Sequence, residues 1–200
     1  MGKTNAQTNP MHGNGDAYIN GSSIEGFFAK SVILLTGATG FLGKALLEKL
    51  LRSCPRLAMI FILIRPKKGQ TVEQRHQKLL ENSVFDRIRT ELPDAFNKIY
   101  PMKGDVSLPN LGLSPEDRNM LIQRVNIVFH SAATVRFDEP LRVAVNLNTK
   151  GTDRIIELCK NMKNLVSIIH VSTAYSNANR QEIKESIYTM FCWWQLGLNN

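Results

Sequence analysis

The chain of 200 residues is poor in cysteine, and its three, Cys54, Cys159 and Cys192, are too few and too far apart for a disulfide framework or a zinc site. Such usage belongs to a reducing compartment. The four histidines, His12, His76, His130 and His170, form no ligand-spaced cluster, so no metal site is expected. Long apolar runs are lacking too. The longest, Leu57 to Ile64 between Arg56 and Arg65, has less than half of the roughly 20 residues needed to span a bilayer, so no membrane helix is expected. The first residues hold no apolar signal-peptide core, and Ala6 stands where a myristoylation signal wants Ser or Thr, so no passage into the secretory pathway is expected. No repeat period is visible. Runs of basic residues are also missing. The formal net charge is +8 and the pI near 9.6, yet the 25 Lys and Arg are scattered, with no run longer than Lys67-Lys68. That distribution makes no electrostatic stripe, and no nucleic-acid partner is expected.

What is present is the composition of a soluble globular domain. With 43% hydrophobic and 21% charged residues, 13 Gly and 8 Pro, it excludes collagen-like, coiled-coil and wholly disordered chains. Residues 1–26, rich in Gly, Asn, Ser and Thr without apolar periodicity, read as a disordered arm, with order beginning near Phe27. Ser31 to Thr36 is a continuous apolar run that fits a strand buried on both faces. A Gly-rich turn follows, then a helical apolar spacing from Phe41 to Arg52, closed by Pro55. Met59 to Ile64 reads as a second strand stopped by Pro66, and Val72 to Thr90 as one charged helix. A third strand ends at Met102. Ser114-Pro115-Glu116-Asp117 carries the signals of a helix start. Asn126 to His130 is a fourth strand, Leu141 to Asn161 a long helix and Leu165 to Val171 a fifth strand. Such alternation calls for an α/β fold: a Rossmann-like doubly wound parallel sheet with right-handed crossovers and helices on both faces. Met190 to Asn200, with both tryptophans and no charge, breaks the pattern, and residues 189–200 read as a truncated or aberrant tail.

Thr36-Gly37-Ala38-Thr39-Gly40-Phe41-Leu42-Gly43 sets three glycines directly after the first strand and at the mouth of the first helix. There, backbone amides can face a pyrophosphate: Gly37 lets the chain turn, Gly40 lets backbone approach the phosphates, and Gly43 lets helix and strand pack closely. An NAD site would place an acid at the end of the second strand to bond the ribose. This chain has Arg65 there, with Lys67 and Lys68 close behind, three cations suited to a 2′-phosphate. The expected cofactor is therefore NADPH, held by Thr36, Gly37, Thr39, Gly40, Phe41, Leu42, Gly43, Arg65 and Lys67.

Several stretches narrow the class. The Gly-x-x-Gly-x-x-Gly turn, Leu63-Ile64-Arg65-Pro66, Lys103-Gly104-Asp105, Val128 to Leu141 with its Arg136-Phe137-Asp138-Glu139 core, Asn148-x-x-Gly151-Thr152 and His170 to Tyr175 together resemble an animal fatty acyl-CoA reductase, of the insect kind, within the extended short-chain dehydrogenase/reductases. The likeness runs from about Phe27 to Tyr188, which makes residues 27–188 an NADP-binding domain and the five strands an incomplete sheet. It implies that Asp105 and Val106 contact the cofactor beside the adenine, that Ser131-Ala132-Ala133 lies along it, and that Asn148, matching the structural asparagine of its helix, belongs to the same cofactor-binding set. Thr173 would bond the substrate carbonyl, with Ser172 second; read on their own residues, the two are equally a strand-end turn. His130 and His170 read as strand-end packing residues. Asp138 and Glu139 carry no catalytic role.

The implied reaction is NADPH-dependent reduction of a long-chain acyl-CoA to a primary alcohol with release of CoA. The Tyr-x-x-x-Lys pair that donates the proton in related reductases is missing: Tyr18, Tyr100, Tyr175 and Tyr188 are followed four residues on by Ser22, Gly104, Asn179 and Cys192. The resemblance departs at Thr189, so the chain is expected to be a fragment, through a truncated gene model, retained intron or short isoform. On its own it should bind NADPH weakly, turn over little, and leave its fifth strand as an exposed edge. The alternative is a non-catalytic NADP-binding module acting as a sensor or interaction protein. The family is expected at the peroxisomal or endoplasmic reticulum membrane, and here any membrane association would come through a downstream C-terminal part.

Overall fold

Val32–Thr36 (β1) is apolar at successive positions, and such a run is stable only where both of its faces are covered. A computed structural model, which describes residues 23–186 and 188, places β1 at the centre of a five-stranded sheet. The other strands are Met59–Ile64 (β2), Ile99–Lys103 (β3), Ile127–His130 (β4) and Ser167–His170 (β5). They run in the order β3-β2-β1-β4-β5, every pair parallel. Val32 pairs with Met59 on one side of β1 and Ile33 with Ile127 on the other, so the chain reverses its direction of winding at β1.

Alternate residues of the strands feed two cores. Ile33 and Leu35 of β1, with Ile60 and Ile62 of β2, meet Leu47, Leu50 and Leu51 of the helix Phe41–Ser53 (α2; α1 is the short Ile24–Phe28 turn), together with Leu79 of Val72–Leu80 (α3) and Ile88 of Asp86–Glu91 (α4). Leu34, Phe61 and Val128 point the opposite way. They meet Leu121 of Pro115–Arg124 (α5) and Ile155 and Leu158 of Lys150–Lys160 (α7, which continues Leu141–Ala144, α6). Each fully buried Leu, Ile or Phe is worth about 2 kcal/mol of transfer free energy, so both faces are needed to hold the sheet. The result is the doubly wound α/β sheet that the alternation implies.

Three local expectations change. The chain is helical from Ile24, inside the stretch read as arm, because the Ser23 side chain caps Gly26 N–H and Phe28 stacks on Phe129 of the core at 6.2 Å. Residues 1–22 and the proposed tail 189–200 lie outside the described residues. The charged helix expected from Val72 to Thr90 is broken: α3 starts in a capping box between Thr71 and Gln74, and the Asn82 side chain then accepts from Val84 N–H and restarts the chain as the 3-10 turn Ser83–Phe85. The helix expected from Leu141 to Asn161 contains a π-helical turn, Val145–Thr149, between α6 and α7. Asn146 and Asn148 in this turn bond to Ser107 and Thr134, far along the chain, and these ties hold the widened turn.

Candidate functional site

The connections that leave the carboxyl ends of β1 and β4 turn to opposite faces of the sheet where the winding reverses, the place at which open α/β sheets take ligands. Gly37 leaves β1 at φ +76°, and a Cβ on it would stand 2.7 Å from the Ser131 carbonyl carbon and 2.8 Å from Ala132 N. Only glycine allows the two strand-end turns to approach so closely. Gly43 packs the same way one helical turn on. A Cβ there would press into the Gly37 carbonyl oxygen and lie 2.7 Å from its carbon. Gly40 N–H donates to the Gly37 carbonyl at 2.9 Å, so the turn closes on itself and delivers the chain into α2.

The N-cap of α2 is Gly40, which offers no side-chain oxygen to the first-turn amides. Those amides, with the positive end of the helix dipole behind them, suit an anion. Thr39, Gly40, Phe41 and Leu42 are exposed around this mouth, Phe41 at 91%. Thr39 also lines a cleft of about 250 Å³ that continues from the mouth past the end of β2. Four cations line it, Lys44, Lys67, Arg75 and Lys78, and none of its lining residues is acidic. Arg65 directly follows β2 and is exposed. Its Nε lies 3.9 Å from Asp105 Oδ2, while its carbonyl accepts from Arg75 Nη1. Asp105 is held in turn by Ser107, whose N–H and Oγ donate to Oδ1 at 2.8 and 2.7 Å.

Lys44, Arg75 and Lys78 escape the sequence reading, which stops at Arg65, Lys67 and Lys68. The available signal was the spacing of Arg75 and Lys78 three apart on one helix, a pattern that a solvated helical face shares. Only the fold brings Lys44 of α2 to the same cleft.

Two expected cofactor residues are interior. Thr36 is fully buried, and its hydroxyl is engaged by His130 Nδ1 at 2.7 Å and by Ala132 N–H at 3.2 Å, so its side chain faces no ligand. Val106 is buried against Gly151, where there is no side chain to hold it off. Its carbonyl accepts from Arg154 Nη1 at 2.9 Å. Both shape the crevice from behind. Ala132 is half-buried and Ala133 exposed at the β4 turn. Both side-chain groups of Asn148, expected at the cofactor, are taken by the protein: its Oδ1 accepts from Thr134 N–H at 2.9 Å and its Nδ2 donates to the Thr134 carbonyl at 3.0 Å, pinning the loop after β4 to the π turn.

Ser172 and Thr173 are exposed beyond the carboxyl end of β5. Thr173 Oγ1 accepts from Tyr175 N–H at 3.2 Å and caps the 3-10 turn Ala174–Asn177, a geometry that leaves its own O–H free to donate outward. An edge-on contact of Phe137 and Tyr175, centroids 5.5 Å apart, ties this turn to the loop after β4. Arg136 pairs with Asp138 at 2.9 Å, and Thr134 Oγ1 donates to Glu139 at 3.1 Å, so both acids organise that loop. His130 is buried under the ring of His170, 5.3 Å away. Burial first, and then His170, push its pKa down from 6.5 to about 4, so it is neutral at physiological pH. Among the described residues, no group of His, Cys, Asp or Glu could hold a metal, and no helix is long and apolar enough to cross a membrane.

A glycine turn at a sheet reversal, an uncapped helix mouth and a cationic cleft define a nicotinamide-dinucleotide-binding α/β domain. Residues 35–193 match the NAD-binding profile of the Male sterility protein family, and the chain belongs to that family. The match passes Thr189, where the sequence reading placed the departure. Over 166 residues the chain is 50% identical to fatty acyl-CoA reductase 1 of Mus musculus, covering 83% of this chain and 32% of the relative. It is 46% identical over 168 residues to a Drosophila melanogaster protein, CG8306, named for the same activity, covering 84% and 33%. The chain therefore spans about a third of the length of these relatives. Among solved structures it resembles the terminal R domain of the myxalamid biosynthetic pathway, with TM-score 0.60 and 35% identity over 73% of this chain and 35% of that one. A reductase domain of a Mycobacterium tuberculosis nonribosomal peptide synthetase follows at TM-score 0.58 and 28% identity, over 74% and 34%.

Proposed function

We propose that this chain is the NADPH-binding part of a fatty acyl-CoA reductase that converts a long-chain acyl-CoA to a primary alcohol and releases CoA. The observation that carries the cofactor choice is the cleft lined by Lys44, Lys67, Arg75 and Lys78 between the α2 mouth and the end of β2. Four cations without an acid suit a 2′-phosphate and oppose the free ribose hydroxyl of NADH, which an acid would bond. The first-turn amides of α2 would take the pyrophosphate, and Arg65, its Nε beside Asp105, would pair through its guanidinium with the 2′-phosphate that NADH lacks. Bound NADPH supplies a hydride. Thr173, and Ser172 beside it, would orient the acyl carbonyl with a donated O–H and stabilise the oxyanion that forms as the carbonyl is reduced. The names of the relatives support the acyl-CoA substrate. Placement at the peroxisome or endoplasmic reticulum is proposed on that kinship alone.

The test is a titration of the purified chain with NADPH and NADH. The native chain should prefer NADPH, and Arg65→Glu should weaken NADPH by about a hundredfold, the scale of two charge-assisted bonds lost, while sparing NADH. Equal loss of both cofactors refutes the assignment.

A further inference from the structure

Residue His130 ends β4 inside the fold, and both of its ring nitrogens are engaged. Nε2 lies 3.1 Å from Thr152 Oγ1, and Thr152 Oγ1 lies 2.7 Å from the Asn148 carbonyl. A hydroxyl has one proton. A carbonyl can only accept, so Thr152 gives its proton to Asn148 and must accept from His130. Nε2 therefore carries the ring's proton and Nδ1 is bare. Thr36 Oγ1, 2.7 Å from Nδ1, then donates to it, which leaves the Thr36 lone pairs for Ala132 N–H at 3.2 Å. The directions run without conflict from Ala132 through Thr36, His130 and Thr152 to Asn148. Asn148 in turn holds Thr134 by both its backbone groups.

Every station of this chain lies on a segment that borders the crevice. Thr36 precedes Gly37, Ala132 and Thr134 follow β4, and Asn148 and Thr152 sit on the π turn and α7. The elements meet only through long-range contacts, Thr36 and His130 being 94 residues apart in sequence. A second pair of bonds, from Ser131 N–H and Oγ to the Thr36 carbonyl, fixes the backbone but not the Thr36 hydroxyl. His170 lies on the ring face and offers the nitrogens no competing partner.

We propose that His130, as the neutral Nε2–H tautomer, is a positioning residue that sets the separation and orientation of the Thr36-Gly37 and Ser131-Ala132 turns for the dinucleotide. It touches neither cofactor nor substrate and acts through the hydroxyls of Thr36 and Thr152. Protonation would reverse the Nδ1 bond and force the Thr36 hydroxyl to find another acceptor. The ring's burial and its neighbour His170, which keep it neutral, oppose that reversal. This role rests on the reading of the crevice as an NADPH site, whereas the tautomer follows from the bonding alone.

The experiment has two arms on the 200-residue chain. In heteronuclear spectra of the chain labelled at histidine, His130 should show a protonated, pyrrole-type Nε2 and a bare, pyridine-type Nδ1, unchanged from about pH 8 to about pH 5, a range in which an ordinary histidine titrates. A proton on Nδ1, or titration within that range, overturns the proposal. In the second arm NADPH is titrated into folded native, His130→Phe and His130→Asn chains. Phe keeps a ring and loses both bonds, and should bind about tenfold more weakly, the order expected for two lost hydrogen bonds. Asn can place an oxygen near the Nδ1 position, accept from Thr36 and recover most of the affinity. Native-like binding by His130→Phe, or no recovery in His130→Asn, overturns the positioning role. Should the native chain bind no NADPH, the cofactor reading falls and the positioning role with it, while the spectra still decide the tautomer.

Discussion

Acidification should destabilise the folded chain, and the buried ring of His130 should carry a part that one substitution isolates. His130 has a folded-state pKa of about 4 against an ordinary value of 6.5, because burial and the neighbouring His170 disfavour its charged form. Above about pH 7 neither folded nor unfolded chain binds this proton, and the contribution of His130 to stability is complete. As the pH falls below 6.5 the unfolded chain takes up a proton that the native chain refuses, so the unfolding free energy drops; it levels off below about pH 4. Each tenfold difference in proton affinity between the two states is worth about 1.4 kcal/mol, so the whole loss is about 3 kcal/mol, and between about pH 7 and about pH 5 it is about 2 kcal/mol. The measurement is urea unfolding followed by circular dichroism at stepped pH, on the native chain and on His130→Asn. Burial also lowers the pKa of His76, whose Nε2 has no bonding partner among the described residues, but His76 titrates in both chains and cancels in the difference. The native chain should lose about 2 kcal/mol more than the variant over that window. Parallel loss by the two chains would refute the reasoning.

Gly43→Ala should lower stability by about 3 kcal/mol and abolish dinucleotide binding, because the new methyl meets fixed backbone of Gly37 and Ala38, and urea unfolding with an NADPH titration checks both. Arg75→Glu should weaken NADPH by about tenfold or more and leave NADH unchanged, seen in paired titrations; loss of both would mean that Arg75 holds the β2 end in shape through the Arg65 carbonyl. Phe61→Ala should cost about 4 kcal/mol, since Phe61 is fully buried at the centre of one sheet face, as a shift of the urea midpoint will show. Thr71→Ala should cost about 1 kcal/mol through loss of the capping box, and Thr71→Ser should restore it.

The five strands and the glycine turn were legible because their signals are local. Continuous apolar runs such as Ile33-Leu34-Leu35 have no stable place but a sheet covered on both faces; Gly40 and Gly43 answer to contacts within the turn, while Gly37, whose positive φ is local, also answers to Ser131 and Ala132 after β4. What escaped depends on partners far along the chain. The π turn at Val145–Thr149 is held by Asn146 on Ser107 and Asn148 on Thr134, and no periodicity within the helix records those ties. The break at Asn82 did carry a local signal, an Asx cap, submerged in a charged stretch that otherwise reads as one helix. At the site, Thr36 was expected to face the cofactor because it precedes Gly37; the register of β1 against β4 turns its hydroxyl inward to His130. Lys44, Arg75 and Lys78 each read as surface charge until the sheet order brings α2 and α3 to one cleft.

The placement of β1 between β2 and β4 also dictates the order in which the chain can assemble. During synthesis β1 and β2 emerge in succession and can pair at once, joined through one short helix, whereas β1 cannot meet β4 until α3, α4, β3 and α5 have all appeared. Closing that long loop carries the larger entropic cost, so the β1–β4 seam is the late step of folding. The packed turns at Gly37 and Ser131, which border the ligand cleft, stand at the end of that same seam. A nascent chain therefore gains its ligand-binding cleft only when the β1–β4 contact closes, and a ligand held there stabilises the product of that step rather than any earlier intermediate.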